Sequence, residues 1–364
     1  MRTLFISVFS LFLTTSALVS SVPPNTAKEL NTFQEKIALQ NAENMFIRAL
    51  DFYYTNQTDK MINTYRELIN NFENSTNKEI NIIIAQAMFN LALGYDNIGD
   101  IKAESRLYER IISKFINSHD AITETITANS LFNQALIAYK INDTKSEMQI
   151  YEKFIERFGD TNDENIRIIL ANVMAGFGYI HAKEDKKSEA VGIYNRLLDK
   201  FENSKNEHVQ NILAGTLLNL GIINIEMGEL KNGLALYQRL IEQFKNSADD
   251  NILRKVGAAI TNKIEIEICS GIKPSFDDEH KKLVDKEEYS ALMYEFLQIV
   301  YSAANKRQLD KLNAWKEKYS DFSFKKFNID FDFSYLDKWA KHLKNPERKW
   351  VKECIDTIKE LADR

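Results

Sequence analysis

Tyr194-Asn-Arg-Leu-Leu-Asp-Lys-Phe201 sets apolar side chains at i, i+3, i+4 and i+7, a single face of one helix. Forty-three residues earlier stand Tyr151, Phe154, Ile155 and Phe158, and forty-three before those Tyr108, Ile111, Ile112 and Phe115. Tyr65, Leu68, Ile69 and Phe72 open the series; Tyr237, Leu240, Ile241 and Phe244 close it. A constant period of this length marks one supersecondary unit stacked on copies of itself.

Outward from that helix, each copy ends in Phe-x-[Asn/Asp]-[Ser/Thr], with the hydroxyl at Ser75, Ser118, Thr161, Ser204 and Ser247. Two starts are open for the helix that follows. Thr161 with Glu164, Ser204 with Glu207 and Ser247 with Asp250 have capping-box spacing. Asn77, Asp120, Asp163, Asn206 and Asp249, two residues further on, are equally good N-caps. This next helix carries small residues seven apart: Ala85 and Ala92, Ala128 and Ala135, Ala171 and Gly178, Ala214 and Gly221. Seven residues is about two turns, so they share a face along which a neighbouring helix can approach closely. Breaks at Gly99-Asp100, Asn142-Asp143 and Gly228-Glu229 then suit a left-handed C-cap.

Leu220-Gly221, Gly228 and Tyr237, together with Ala190 before Tyr194, resemble the signature of the tetratricopeptide-repeat family across residues 30 to 268. The period of 43 in place of 34 points to a longer first helix, and the family's closing proline is missing. A HEAT-like helical repeat has a similar period and is the architectural alternative. The resemblance implies an all-α fold, a helical-repeat solenoid of antiparallel helix pairs. Five pairs and one terminal helix are expected within residues 22–268. A helical C-terminal capping or docking segment then occupies 269–364, where the register lapses and His280 stands in place of a sixth Tyr.

Arg2 and the apolar run Leu4 to Val19, with small residues at Val19 and Ser21, read as a signal peptide over residues 1–21 cleaved after Ser21, the competing reading being an uncleaved membrane anchor. The expectation is an exported protein, periplasmic or secreted, with no transmembrane span once the signal is removed. Net charge is only -5, which argues against nucleic acid as a partner. Export permits a disulfide between Cys269 and Cys354, yet both lie among apolar residues and read equally well as small buried hydrophobes. The C-terminal segment holds Trp315, Trp339 and Trp350 with Phe322, Phe324, Phe327, Phe331, Phe333 and Tyr335. These aromatics suit a core that caps the last repeat, or an exposed surface for envelope or membrane material.

Motifs for nucleophilic, phosphate or zinc chemistry are missing, so no catalytic residue, cofactor or metal is expected, and the chain reads as a non-enzyme. Asp277-Asp278-Glu279-His280 is an acidic-histidine cluster, read as a solvated helix start. An enzyme subunit with its site at the junction of repeats and cap is the lesser alternative. The candidate binding residues are amides on the first helices: Asn90, Asn133, Asn219 and Asn262 at equivalent positions, with Gly176 the exception, and Gln86, Asn129 and Asn172 one turn earlier. An amide both donates and accepts, so a row of them could hold the backbone of an extended peptide, or could satisfy contacts between repeats. The partner expected is a protein or peptide lying along the first helices.

Overall fold

The computed structural model describes residues 27–305, 310–322 and 334–362. The signal segment and Phe324, Phe327, Phe331 and Phe333 lie outside the described residues. Within them are sixteen helices and no strand. The chain divides into two compact units, residues 1–107 and 108–364.

The first unit holds α1 (Ala27–Tyr54), α2 (Thr58–Phe72), α3 (Lys78–Asn97) and the start of α4 (Ile101–Phe115). In it α1 packs on α2, and α3 packs on both. Tyr65 is fully buried, its ring 5.7 Å from that of Phe46.

The second unit continues with α5 (Ala121–Lys140), α6 (Thr144–Phe158), α7 (Glu164–Lys183), α8 (Lys187–Phe201), α9 (Glu207–Glu226), α10 (Leu230–Phe244) and α11 (Asp250–Cys269). Here α5 packs on α6 and α7, α7 on α8 and α9, and α9 on α10 and α11. Each first helix therefore touches both its own partner and the next first helix, the connectivity of stacked helix pairs. α11 then carries α12 (Asp278–Val284), α13 (Glu288–Ala304) and α15 (Ser334–Ala340), while α14 (Asp310–Lys318) and α16 (Glu347–Ala362) pack on α13.

Local chemistry repeats with the period. The helices α3, α5, α7, α9 and α11 are each 20 residues long, and α2, α4, α6, α8 and α10 are each 15. The extra length expected from a 43-residue period thus sits in the first helix. Between the competing helix starts, the Asx residue is the N-cap every time. Side chains of Asn77, Asp120, Asp163, Asn206 and Asp249 accept from backbone amides of the first turn. The preceding hydroxyl does different work, accepting the N–H of the cap residue itself at 3.1 to 3.3 Å. Two short side chains in tandem thereby satisfy donors at each helix start that would otherwise be orphaned.

The first helices stop as regularly. Asn56, Gly99, Asn142, Asp185, Gly228 and Gly271 all have positive φ, 55° to 83°, at intervals of 43 residues. The amide after each reaches back to a carbonyl five residues earlier, as Asp143 N does to Ala138 O at 2.9 Å and Glu229 N to Asn224 O at 2.8 Å. This is the Schellman arrangement, and it needs a residue tolerant of the left-handed region. The repeat's punctuation therefore runs one step beyond its tyrosines, to Gly271.

In the C-terminal part Trp315, Tyr319 and Phe322 are buried, with the Trp315 ring 5.3 Å from Phe296 and 5.6 Å from Tyr319. These three serve as core. Both cysteines are free, Cys354 buried and Cys269 half-buried.

Candidate binding face on the first helices

The amides expected to form one ladder divide into two rows with different geometry. Nδ2 of Asn90 donates to the Tyr65 hydroxyl at 3.1 Å, Asn133 to Tyr108 at 2.9 Å, and Asn219 to Tyr194 at 3.4 Å. Asn262 stands at the equivalent place facing Tyr237, and its amide partly offsets the rise that burial imposes on that hydroxyl. Every pair is 25 residues apart, so the first helix of one repeat ties the second helix of the repeat before it. The tyrosine rings are buried, and burial pushes the Tyr194 hydroxyl up to about 12 despite the Asn219 bond. A buried hydroxyl that loses its partner is costly, which gives these amides a packing role whatever else they contact.

Gly176, the gap in the row, is explained by the same contact. A Cβ there would lie 2.9 Å from the Tyr151 hydroxyl oxygen. Tyr151 instead donates to Glu147 Oε1 at 3.1 Å, one turn back on its own helix. Burial holds the Glu147 carboxyl above its usual range, and the Tyr151 bond partly offsets this.

Gln86, Asn129 and Asn172 form the other row. Gln86 is buried, and its Oε1 has no hydrogen-bond partner among the described residues. Asn129 Nδ2 donates to Thr125 O within α5. Asn172 Nδ2 bonds Ile168 O at 2.9 Å and also meets His208 Nε2 at 3.0 Å, pointing forward to the next first helix. Burial lowers the His208 pKa, so the ring is neutral where it meets the amide. One repeat on, the place of Asn172 is taken by Gly215, and the stem of Lys255 from α11 lies over it: a Cβ at 215 would be 3.4 Å from Lys255 Cε. The Lys255 ammonium donates to Asn211 Oδ1 and, at 3.2 Å, to Asn251 O, and burial pulls its pKa down.

His208, Asn211 and Lys255 were missed by sequence reasoning. Their separations, 36 residues from Asn172 to His208 and 44 from Asn211 to Lys255, each lie near one repeat length and were the available signal. Tyr179, two turns beyond Asn172 on the same face of α7, is 52% exposed; Tyr139 of α5 is 62% exposed.

The acidic-histidine cluster is a helix start, as read from sequence. Asp277 caps α12, accepting from His280 N at 2.7 Å, and Ser275 Oγ donates to it at 2.8 Å. No group of three or more potential metal ligands occurs among the described residues.

A family model described as tetratricopeptide repeat matches residues 43–75, 129–161 and 216–247. The repeats are of the tetratricopeptide type. The second and third matches begin well inside α5 and α9, leaving out their first turns, which is where this repeat exceeds the usual length. No curated protein matches the chain. Among solved structures, it is similar to a tetratricopeptide repeat protein from Parabacteroides merdae, with 10% identity, 87% of this chain and 99% of that chain covered, and TM-score 0.46. It is also similar to the apo form of RapI, with 14% identity, 88% and 99% covered, and TM-score 0.43. BtubC from P. vanneervenii follows at 12% identity, 73% and 93% covered, and TM-score 0.44.

Proposed function

We propose that the protein is an exported, non-catalytic scaffold that holds an extended peptide, or an extended segment of a partner protein, along the face of its first helices. The observation that carries the reading is the strip running from α7 through α9 to α11. Half-buried polar groups bridge successive first helices there, Asn172 to His208 and Asn211 to Lys255, and Tyr179 stands exposed beside them. Such a strip offers what an extended backbone needs: alternating donors and acceptors at repeat spacing, and an aromatic face for a side chain. Two of the titratable groups on these helices are held by neighbours, His208 by Asn172 and Glu147 by Tyr151. Export rests on the signal-like residues 1–21.

The test is selection from a displayed library of random peptides against the protein, followed by rebinding to Tyr179→Ala and to Lys255→Met. Both side chains can be replaced without opening the tyrosine contacts between repeats. Loss of the selected peptides on either variant supports the reading. Selected peptides that bind both variants and the parent alike would place recognition elsewhere.

A further inference from the structure

Where α8 begins and α9 ends, Lys187 Nζ lies 3.2 Å from Glu226 Oε2 and 3.3 Å from Asp185 Oδ1. One repeat later the same two positions, 43 residues on, carry Leu230 and Cys269. An ion-paired crease has become an apolar one. Here the C-terminal segment covers it: α15 lies over α11, and the Tyr335 hydroxyl donates to Ile225 O at 3.3 Å.

The cover leaves space. An open groove of ≈ 430 Å³ remains, lined by Leu230, Ile266, Cys269 and Ser270 on the repeat side and by Tyr335 and Trp339 on α15, with Leu230 still 37% exposed. That volume falls within the range of about 300–1,000 Å³ usual for small-ligand sites. Cys269 is a neutral part of the groove wall, since burial, and after it the nearby Glu265 carboxylate, push its thiol up to about 12.

The rim has the opposite chemistry. Lys338 and His342 stand at it, both exposed. Lys338 Nζ sits 5.9 Å from the Tyr335 ring centre and has no ion-pair partner among the described residues; neither has His342. The carboxylate next to Lys338 in sequence, Asp337, is already engaged by Lys359 at 2.6 Å. Lys341 and Lys344 add further positive charge on the same stretch.

We propose that this groove binds a small amphipathic carboxylate. Its apolar body lies between Leu230 and Ile266 on one side and Trp339 on the other, and its acid group meets Lys338 and His342 at the rim. The proposal is independent of peptide binding along the first helices.

Isothermal titration of the full chain with sodium decanoate, decan-1-ol and decyltrimethylammonium tests it. Decanoate should bind saturably at one site. Decanol should bind more weakly, and the cationic amphiphile should not compete. Lys338→Glu should weaken decanoate by roughly three- to tenfold, the scale of reversing one partly exposed ion pair, and leave decanol unchanged. Cys269→Trp should remove binding of both by filling the groove; if that variant does not fold, Lys338→Glu decides alone. Absence of saturable decanoate binding, equal binding of decanoate and decanol, or an undiminished decanoate affinity in Lys338→Glu would overturn the assignment.

Discussion

Gly178 lies in the middle of α7, beneath the ring of Tyr194. A methyl group added there would sit 2.5 Å from Cε1, 2.8 Å from Cδ1 and 2.9 Å from Cζ of that ring. The ring is 1% exposed and its hydroxyl is tied to Asn219, so it must shift against packed neighbours at both ends. Gly192, inside α8, has nothing within 4 Å of an added Cβ. Both positions are helix interior, so alanine gains about 1 kcal/mol of helix propensity at each. At Gly192 that is the whole effect, and Gly192→Ala should stabilise by about 0.5–1 kcal/mol. At Gly178 overpacking of about 1–3 kcal/mol opposes it, and Gly178→Ala should end up neutral to destabilising by about 2 kcal/mol. Urea unfolding followed by circular dichroism gives both midpoints, with the slope as the check that only stability has changed. Tyr194→Leu in the Gly178→Ala background should recover part of the loss. If Gly178→Ala stabilised as much as Gly192→Ala, the close approach of α7 and α8 described above would be wrong.

Tyr108→Phe, Asn133→Ala and the double variant should show a coupling of about 0.5–1.5 kcal/mol in a stability cycle, the worth of one hydrogen bond; additive losses would refute the link between repeats. Asp163→Ala should cost about 0.5–2 kcal/mol as a lost cap, and Glu164→Ala should stay within about 0.5 kcal/mol. Reversed magnitudes would restore the capping box that the structure does not use. The His208 pKa is lowered on folding, so the unfolded chain binds the extra proton first; stability is full above the ordinary histidine pKa and is lost as pH falls through it toward the folded value. Unfolding midpoints at pH 7.5 and 5.5 should therefore separate more for the parent than for His208→Asn, and equal separations would contradict the burial of that ring.

The period, the helix pairs and the close-packing small residues were legible because they recur in sequence at fixed spacing. The left-handed stops were legible only where Gly or Asn stood, at Gly99, Asn142 and Gly228. Asp185 adopts the same conformation at φ 61° and gives no comparable signal in the sequence, because the backbone is set there by the helix on one side and the turn on the other. The choice between two helix starts needed coordinates, since Ser or Thr and the following Asx residue differ by only two positions and both turned out to bond. The amide positions were visible, but their direction was not. Asn133 and Asn129 are one turn apart on α5, and that single turn separates a contact with the preceding second helix from one within the helix itself. Lys255 and His208 escaped notice because they match no repeated residue type; each stands in for chemistry its neighbours supply differently.

The bond that Tyr65, Tyr108 and Tyr194 receive from the first helix of the following repeat has a consequence for the grammar of the chain. The segment that recurs in sequence and the segment that holds together are out of phase by one helix, as bricks in adjoining courses are. Excising one whole pair would hand the tyrosine before it to the first helix after the gap, so the bond re-forms only where that helix carries an asparagine at the matching position. A cut after α10 would leave Tyr237 without α11, where Asn262 stands in the equivalent place. An array of whole pairs is in this sense always half a pair short, and α11 is the closing half: the helix that lets the series stop.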